Sequence, residues 1–248
     1  DTVIGTPFFI MDHVIGNIYW ELLLPGCDPN QRREIYLSMN DTIAKLHNVD
    51  FDKVNLADYG KHENYMDRQI HRWTKQYKDS ETQMIPEINE LIEWLPKNIP
   101  SDQETSIVHG DFRLDNMIFD PITHEVKAIL DWELSTLGNP IADFTYHMMS
   151  WRLPAGAKGL GMMGSDLKSL NIPSESEYAE LYYKKTGREK IDNWDFYMAY
   201  NIFRLAGIAQ GIVGRVRDGT ASSSEAKNYE AFVPILGKLG WSIVEGIK

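Results

Sequence analysis

The sequence predicts an α+β protein that is mostly helical, and three observations carry that expectation. Apolar residues recur at three- and four-residue intervals along most of the chain, the period of an amphipathic helix. Short apolar runs bounded by turn residues are concentrated between residues 107 and 132, where they read as a small β-hairpin. The chain has 248 residues, 43% of them hydrophobic and 25% charged, enough to bury a sizeable core in one domain or two.

Taken in order, Pro7-Phe8-Phe9-Ile10-Met11 reads as a buried-type strand that runs into Asp12-His13-Val14-Ile15-Gly16. A helix starts at Pro29 or Asn30 and ends near His47, with Tyr36, Met39, Ile43 and Leu46 on one face. A second covers residues 63–78, its face formed by Met66, Ile70, Trp73 and Tyr77. The third follows Pro86 with Ile88, Leu91, Ile92 and Leu95, and Pro96 and Pro100 close it. Residues 107–132 form the hairpin, with Asp120-Pro121 at its turn. After Gly138-Asn139-Pro140 a helix is expected over 141–150, and then residues 153–173 form a glycine-rich loop suited to motion. A helix from Glu175 stops at Gly187. The longest helix runs from Asp192 to Arg217, and Gly207 and Gly211 give it a flat patch for close packing. The last covers 224–247, with a kink expected at Pro234.

Composition removes several classes of function. The formal net charge is -11 and no Lys/Arg block exists to follow a phosphate backbone, which argues against a nucleic-acid partner. The longest apolar stretch, around residues 202–216, contains Arg204, Gln210 and Arg215, so a membrane span is not expected. The single cysteine, Cys27, fits a reducing compartment, and the cytoplasm is the expected location.

The chemistry is concentrated in the hairpin region. His109-Gly110-Asp111 is followed five residues after the aspartate by Asn116, and twenty after it by Asp131. Apolar runs deliver each polar residue to one mouth, Ile107-Val108 before Asp111, Met117-Ile118-Phe119 after Asn116, and residues 126–130 before Asp131. A carboxylate to orient a hydroxyl, with an amide oxygen and a second carboxylate to hold Mg²⁺, is the layout that phosphoryl transfer needs. Arg113 and Asp115 in the same loop are candidates to touch substrate, with solvation as the plainer reading, and Glu133 has an undetermined direction.

The run from His109 to Asn116, followed by Ile129-Leu130-Asp131-Trp132-Glu133, resembles the catalytic and metal-binding segments of the aminoglycoside phosphotransferase (APH) family, the small-molecule relatives of protein kinases. Leu134-Ser135-Thr136-Leu137-Gly138 and Trp151-Arg152-Leu153-Pro154 extend the likeness to the acyl-CoA dehydrogenase 10/11-like phosphotransferase branch. The resemblance implies a protein-kinase-like fold, mainly its helical C-lobe with a remnant of the N-lobe sheet. By it, residues 1–16 are the remnant strand and hinge, and 17–248 the C-lobe. Within the C-lobe, 107–119 is the catalytic loop, 126–133 the metal strand and 141–248 the substrate-side helices. It implies Asp111 as catalytic base, Asn116 and Asp131 as Mg²⁺ ligands, and His109 as an architectural residue. Asp143 is either the carboxylate that braces the catalytic loop through backbone N–H groups or a helix N-terminal carboxylate in the dipole field. Met11, Asp12 and Val14 are implied at the adenine of ATP or GTP. A small-molecule hydroxyl is the implied acceptor, a hydroxyacyl-CoA-type metabolite in preference to an aminoglycoside.

One departure from the family pattern stands out. The covering loop, lysine strand and glutamate helix that a complete member carries before the hinge have no counterpart in this sequence, so it is expected to be a truncated, weak or inactive catalyst. A non-catalytic metabolite- or partner-binding module is the alternative reading. A metal-dependent hydrolase on His109, Asp111, Asp131 and His124 is a third, weakened by the position of His124 at the far turn.

Overall fold

The computed structural model describes every residue except 1, 2, 4, 7, 9, 102–103, 157–158, 191–192, 221–223 and 248. Seven helices and four short strands are the main described elements: α1 (Pro29–His47), α2 (Tyr65–Ser80), α3 (Pro86–Trp94), β1 (Ser106–Val108), β2 (Met117–Phe119), β3 (Val126–Ile129), β4 (Thr136–Gly138), α4 (Pro140–Met148), α5 (Glu175–Thr186), α6 (Trp194–Arg217) and α7 (Phe232–Ile247). None of these helices is long and apolar enough to cross a membrane.

Helix α1 begins at a reciprocal cap. Asp28 accepts from the backbone N–H groups of Asn30 and Gln31, while the Gln31 side chain accepts from the Asp28 N–H. Its buried face, with Tyr36, Met39 and Ile43, packs on α5, and Asn40 Nδ2 donates to the Tyr178 carbonyl at 2.8 Å. Helix α6 is buried nearly all round from Phe196 to Gly207, as expected of a helix enclosed by neighbours. α2, α4 and α7 surround it. The α2 contact is backbone-close: a Cβ on Gly214 would lie 2.8 Å from that of Ser80, and one on Gly207 3.4 Å from the Trp73 carbonyl. Polar side chains on α6 tie it to its neighbours, Asn201 donating to Ala142 and Thr145 and Gln210 to the Ser80 carbonyl.

The strands form two ladders where the sequence suggests one hairpin. β2 and β3 pair antiparallel with Met117 opposite Ile129, and Asp120 closes their turn by accepting from Ile122 and Thr123. β1 pairs with β4, Ile107 opposite Leu137, and takes no part in the hairpin. A three-residue apolar run carries no information about its partner, so this pairing was invisible beforehand. The expected metal strand over 126–133 ends at Ile129. Asp131 takes a left-handed conformation (φ 63°, ψ 58°) and a 3₁₀ turn follows over Trp132–Leu134.

The N-terminal strand is a correction. Pro7 and Phe9 lie outside the described residues, and Phe8, Ile10 and Met11 form no strand. Ile10 is 89% and Met11 71% exposed, whereas a buried-type strand needs neighbours on both sides. The nearest ladder contact is Asn17, which exchanges two 2.8 Å backbone bonds with Phe119. The C-terminal segment divides into a 3₁₀ turn over Ser224–Tyr229 and then α7, so Pro234 falls in the first turn of a helix. There its missing N–H breaks no bond, and no kink is required. The loop 153–173 is anchored by buried Leu153, Met162 and Ile172, and by Trp151 Nε1 donating to the Pro173 carbonyl.

Candidate active site

The site is built outward from Asp143. Asn139 caps α4 by accepting from Ile141 and Ala142, and Pro140 occupies the first helical position, where its ring suits the helix. One turn in, buried Asp143 accepts the backbone N–H of His109 on Oδ2 and that of Gly110 on Oδ1, both at 2.8 Å. His47 Nε2 stands 3.2 Å from Oδ2. Burial works against the carboxylate's charge, but the His47 contact and the two N–H groups outweigh it and hold the carboxyl below its usual range. Burial keeps His47 neutral by lowering its pKa. The neutral ring donates Nε2–H to Asp143 and accepts from the Tyr182 hydroxyl on Nδ1 at 2.6 Å.

Gly110 has φ +84°, and a Cβ there would sit 2.7 Å from the Leu134 carbonyl oxygen, so the turn admits only glycine. Past it, Asp111 reaches the mouth. Asn116 Nδ2 donates to both the Asp111 carbonyl (2.9 Å) and its Oδ2 (3.0 Å). His109 bridges the two ladders: Nε2 donates to the Leu130 carbonyl at 2.8 Å and Nδ1 accepts from the Asp111 N–H. Since Leu130 N also donates to the Asn116 carbonyl, the residue before Asp131 is tied to both His109 and Asn116. Asp131 itself is exposed, and its carboxylate has no hydrogen-bond or ion-pair partner among the described residues.

Arg113 stands among these acids. It pairs with Asp115 at 2.8 Å and lies 3.5 Å from Asp111 Oδ1. Burial disfavours its charge, but the fields of Asp111, Tyr146, Asp115 and Asp131 outweigh that and raise its pKa. Beside it opens a cavity of about 280 Å³ walled by Trp20, Phe112, Leu114, Tyr146 and Met149, with Arg113 and Asp115 at its polar edge.

The structure thus joins His109, Asp111, Asn116 and Asp143 by direct hydrogen bonds, and Asp131 through the backbone of Leu130. It makes no such connection to Met11, Asp12 or Val14, the first two being exposed and Val14 half-buried. His124 sits at the β2–β3 turn, 3.9 Å from Glu34, and no group of three His, Cys, Asp or Glu side chains among the described residues is placed to hold a metal. Two residues escaped the sequence reading. Tyr146 donates its hydroxyl to Asp111 Oδ1 at 2.8 Å, and Arg204 donates to the Gly110 carbonyl. An arginine set among apolar residues early in the chain's most apolar stretch is the signal available for the second.

Comparison with known proteins adds relatives to this geometry. A profile described as "Phosphotransferase enzyme family" matches residues 1–180. Acyl-CoA dehydrogenase family member 10 of Mus musculus is 44% identical over 241 residues, covering 97% of this chain and 22% of that protein. Acyl-CoA dehydrogenase family member 11 of Homo sapiens is 39% identical over 241 residues, covering 96% and 31%. The chain therefore spans roughly a fifth to a third of the length of these curated relatives. Among solved structures, a candidate aminoglycoside phosphotransferase from Ralstonia eutropha JMP134 superposes with a TM-score of 0.92 at 48% identity, over 95% of this chain and 72% of that one. A choline kinase from Cryptosporidium parvum Iowa II shares the fold at 12% identity, with a TM-score of 0.60 over 95% of this chain and 71% of that one.

Proposed function

We propose, from the premise that this chain belongs to the phosphotransferase enzyme family and has its kinase-like fold, that it transfers the γ-phosphoryl group of ATP or GTP to a hydroxyl of a small molecule. The observation that carries this is the clamp of Asp143 on the His109 and Gly110 N–H groups, which presents Asp111 beside Asn116 at an open mouth. In this reading Asp111 orients the acceptor hydroxyl and takes its proton as the O–P bond forms and the nucleoside diphosphate leaves. Arg113 offers positive charge to the phosphoryl oxygens in motion. Asn116 and Asp131 suit Mg²⁺: the Asn116 amide nitrogen is committed to Asp111, leaving its oxygen available, and the Asp131 carboxylate accepts no hydrogen bond among the described residues, so both are hard oxygen donors. When bound, the ion would neutralise charge on the nucleotide phosphates.

The acceptor would enter the cavity beside Tyr146, whose mostly apolar wall suits a molecule with a hydrocarbon portion. Together with relatives described as acyl-CoA dehydrogenase family members, that supports a hydroxyacyl-CoA-type metabolite. Residues 1–16 form the nucleotide edge in this reading, with Met11, Asp12 and Val14 along the base, and 17–248 form the C-lobe. His109 holds the loop together, and the cytoplasm is the site of action.

The test is phosphoryl transfer to hydroxylated acyl-CoA compounds with Mg²⁺ present, on these 248 residues alone and with any residues encoded on either side. Asp111→Asn should lower the rate on the order of 10²- to 10⁴-fold. Calorimetry should show Mg²⁺-dependent nucleotide binding that Asp131→Ala abolishes. Absence of both transfer and Mg²⁺-dependent binding would sink this reading in favour of a non-catalytic metabolite- or partner-binding module.

A further inference from the structure

We propose that Tyr146 and Arg204 are positioning residues of the phosphoryl-transfer site, the Tyr146 hydroxyl locking the rotation of the Asp111 carboxylate and Arg204 locking Tyr146. The proposal rests on the function given above.

The two oxygens of Asp111 are held from different elements. Oδ2 accepts from Asn116 within the same loop, and Oδ1 accepts from the Tyr146 hydroxyl, which arrives from α4 at 2.8 Å. The terminal torsion of an aspartate is broad and two-fold when free, so one tether leaves it soft while two fix its plane. Each oxygen keeps a further lone pair, so a carboxylate held in this way can still receive a proton. Burial raises the Tyr146 pKa, which keeps its hydroxyl a donor throughout the ordinary pH range.

Arg204 explains why Tyr146 stays in place. Its guanidinium lies 4.3 Å from the centre of the Tyr146 ring and 5.2 Å from that of Trp73, so it sits between two aromatic rings. A guanidinium nitrogen also donates to the carbonyl of Gly110, the residue immediately before Asp111. One side chain from α6 thus grips both the backbone that delivers the carboxylate and the ring that orients it. Its burial is costly: Arg204 is 5% exposed in a helix of apolar neighbours, and its Nε has no hydrogen-bond partner among the described residues. A methionine would fill that space without a charge to desolvate, so packing alone does not account for an arginine. Tyr146 also walls the acceptor cavity, which connects acceptor site and base through one ring.

The test uses the longest polypeptide that carries these residues. Tyr146→Phe keeps the ring and deletes the hydroxyl, and should lower kcat on the order of tenfold while leaving KM for the nucleotide within about twofold. Arg204→Lys keeps the charge without the planar stack, and should lower kcat in the same way, with nucleotide affinity by calorimetry retained. An unchanged kcat in Tyr146→Phe would overturn the proposal, as would a rise in KM alone, which marks a wall residue. Thermal midpoints in a cycle of Tyr146→Phe with Asp111→Ala read the contact without turnover. Non-additive shifts support it and additive shifts refute it. Should the unsubstituted protein transfer no phosphoryl group, the function itself fails, and the cycle still decides whether Tyr146 holds Asp111.

Discussion

Removing the Asp143 carboxylate breaks several buried contacts at one point. Asp143→Ala strands three buried donors at once, the N–H groups of His109 and Gly110 and the Nε2–H of His47. An orphaned buried donor costs about 1–3 kcal/mol, and breaking a buried charged contact typically costs about 3–5 kcal/mol in all, because neighbours relax and the losses do not simply add. For a chain of this size that is a fall of roughly 10 °C in melting temperature. Asp143→Asn should cost less, about 2 kcal/mol, since one oxygen still accepts while the amide nitrogen faces a donor. Urea unfolding with both midpoint and slope measured is the appropriate assay, because a constant slope shows that stability alone has changed. The folded carboxyl is held below the ordinary value of 3.8. Its contribution is therefore complete above that value and disappears as pH falls through the lower folded one, so the gap between wild type and Asp143→Asn should narrow in acid. A variant within about 0.5 kcal/mol of wild type at pH 7 would refute the clamp as the organiser of the loop.

Two further outcomes follow from the same region. Gly110→Ala should destabilise by about 2–4 kcal/mol in calorimetric melting, since the new Cβ meets the Leu134 carbonyl at 2.7 Å in a left-handed backbone; a melting temperature unchanged from wild type would contradict the tight turn. Burial lowers His147 to about 3 and also holds His47 below 6.5, so the unfolded chain takes up protons that the folded one refuses. Stability should therefore decline as pH drops below 6.5, by up to about 2.7 kcal/mol per unit where both rings are involved, and urea midpoints at pH 7.5 and 5.5 measure it. His147→Gln should remove about half of that slope.

Much of the helical frame is legible from local pattern, because a helix declares itself within three or four residues. Tyr36, Met39 and Ile43 of α1, the face of α2 and the Gly187 stop of α5 lie where local pattern puts them, while Leu46 is only half-buried and His47 takes the inner position beside it. The grouping of His109, Asp111 and Asn116 in one loop is likewise legible, since those residues are neighbours in the chain and their turn is local. Beyond that range the sequence is silent. The β1–β4 pairing joins residues thirty apart, Asp143 reaches its loop across 34 residues, and Arg204 reaches Gly110 across 94. Strand partners and buried hydrogen bonds depend on which surfaces packing brings together, and no local propensity encodes them. The sequence by itself thus determined most of the helices and the local loop that joins His109, Asp111 and Asn116. Only the tertiary structure decided that Asp143 accepts from the His109 and Gly110 N–H groups, that Tyr146 donates to Asp111 and that Arg204 donates to the Gly110 carbonyl, because each of those contacts exists only after α4 and α6 have closed on the strands.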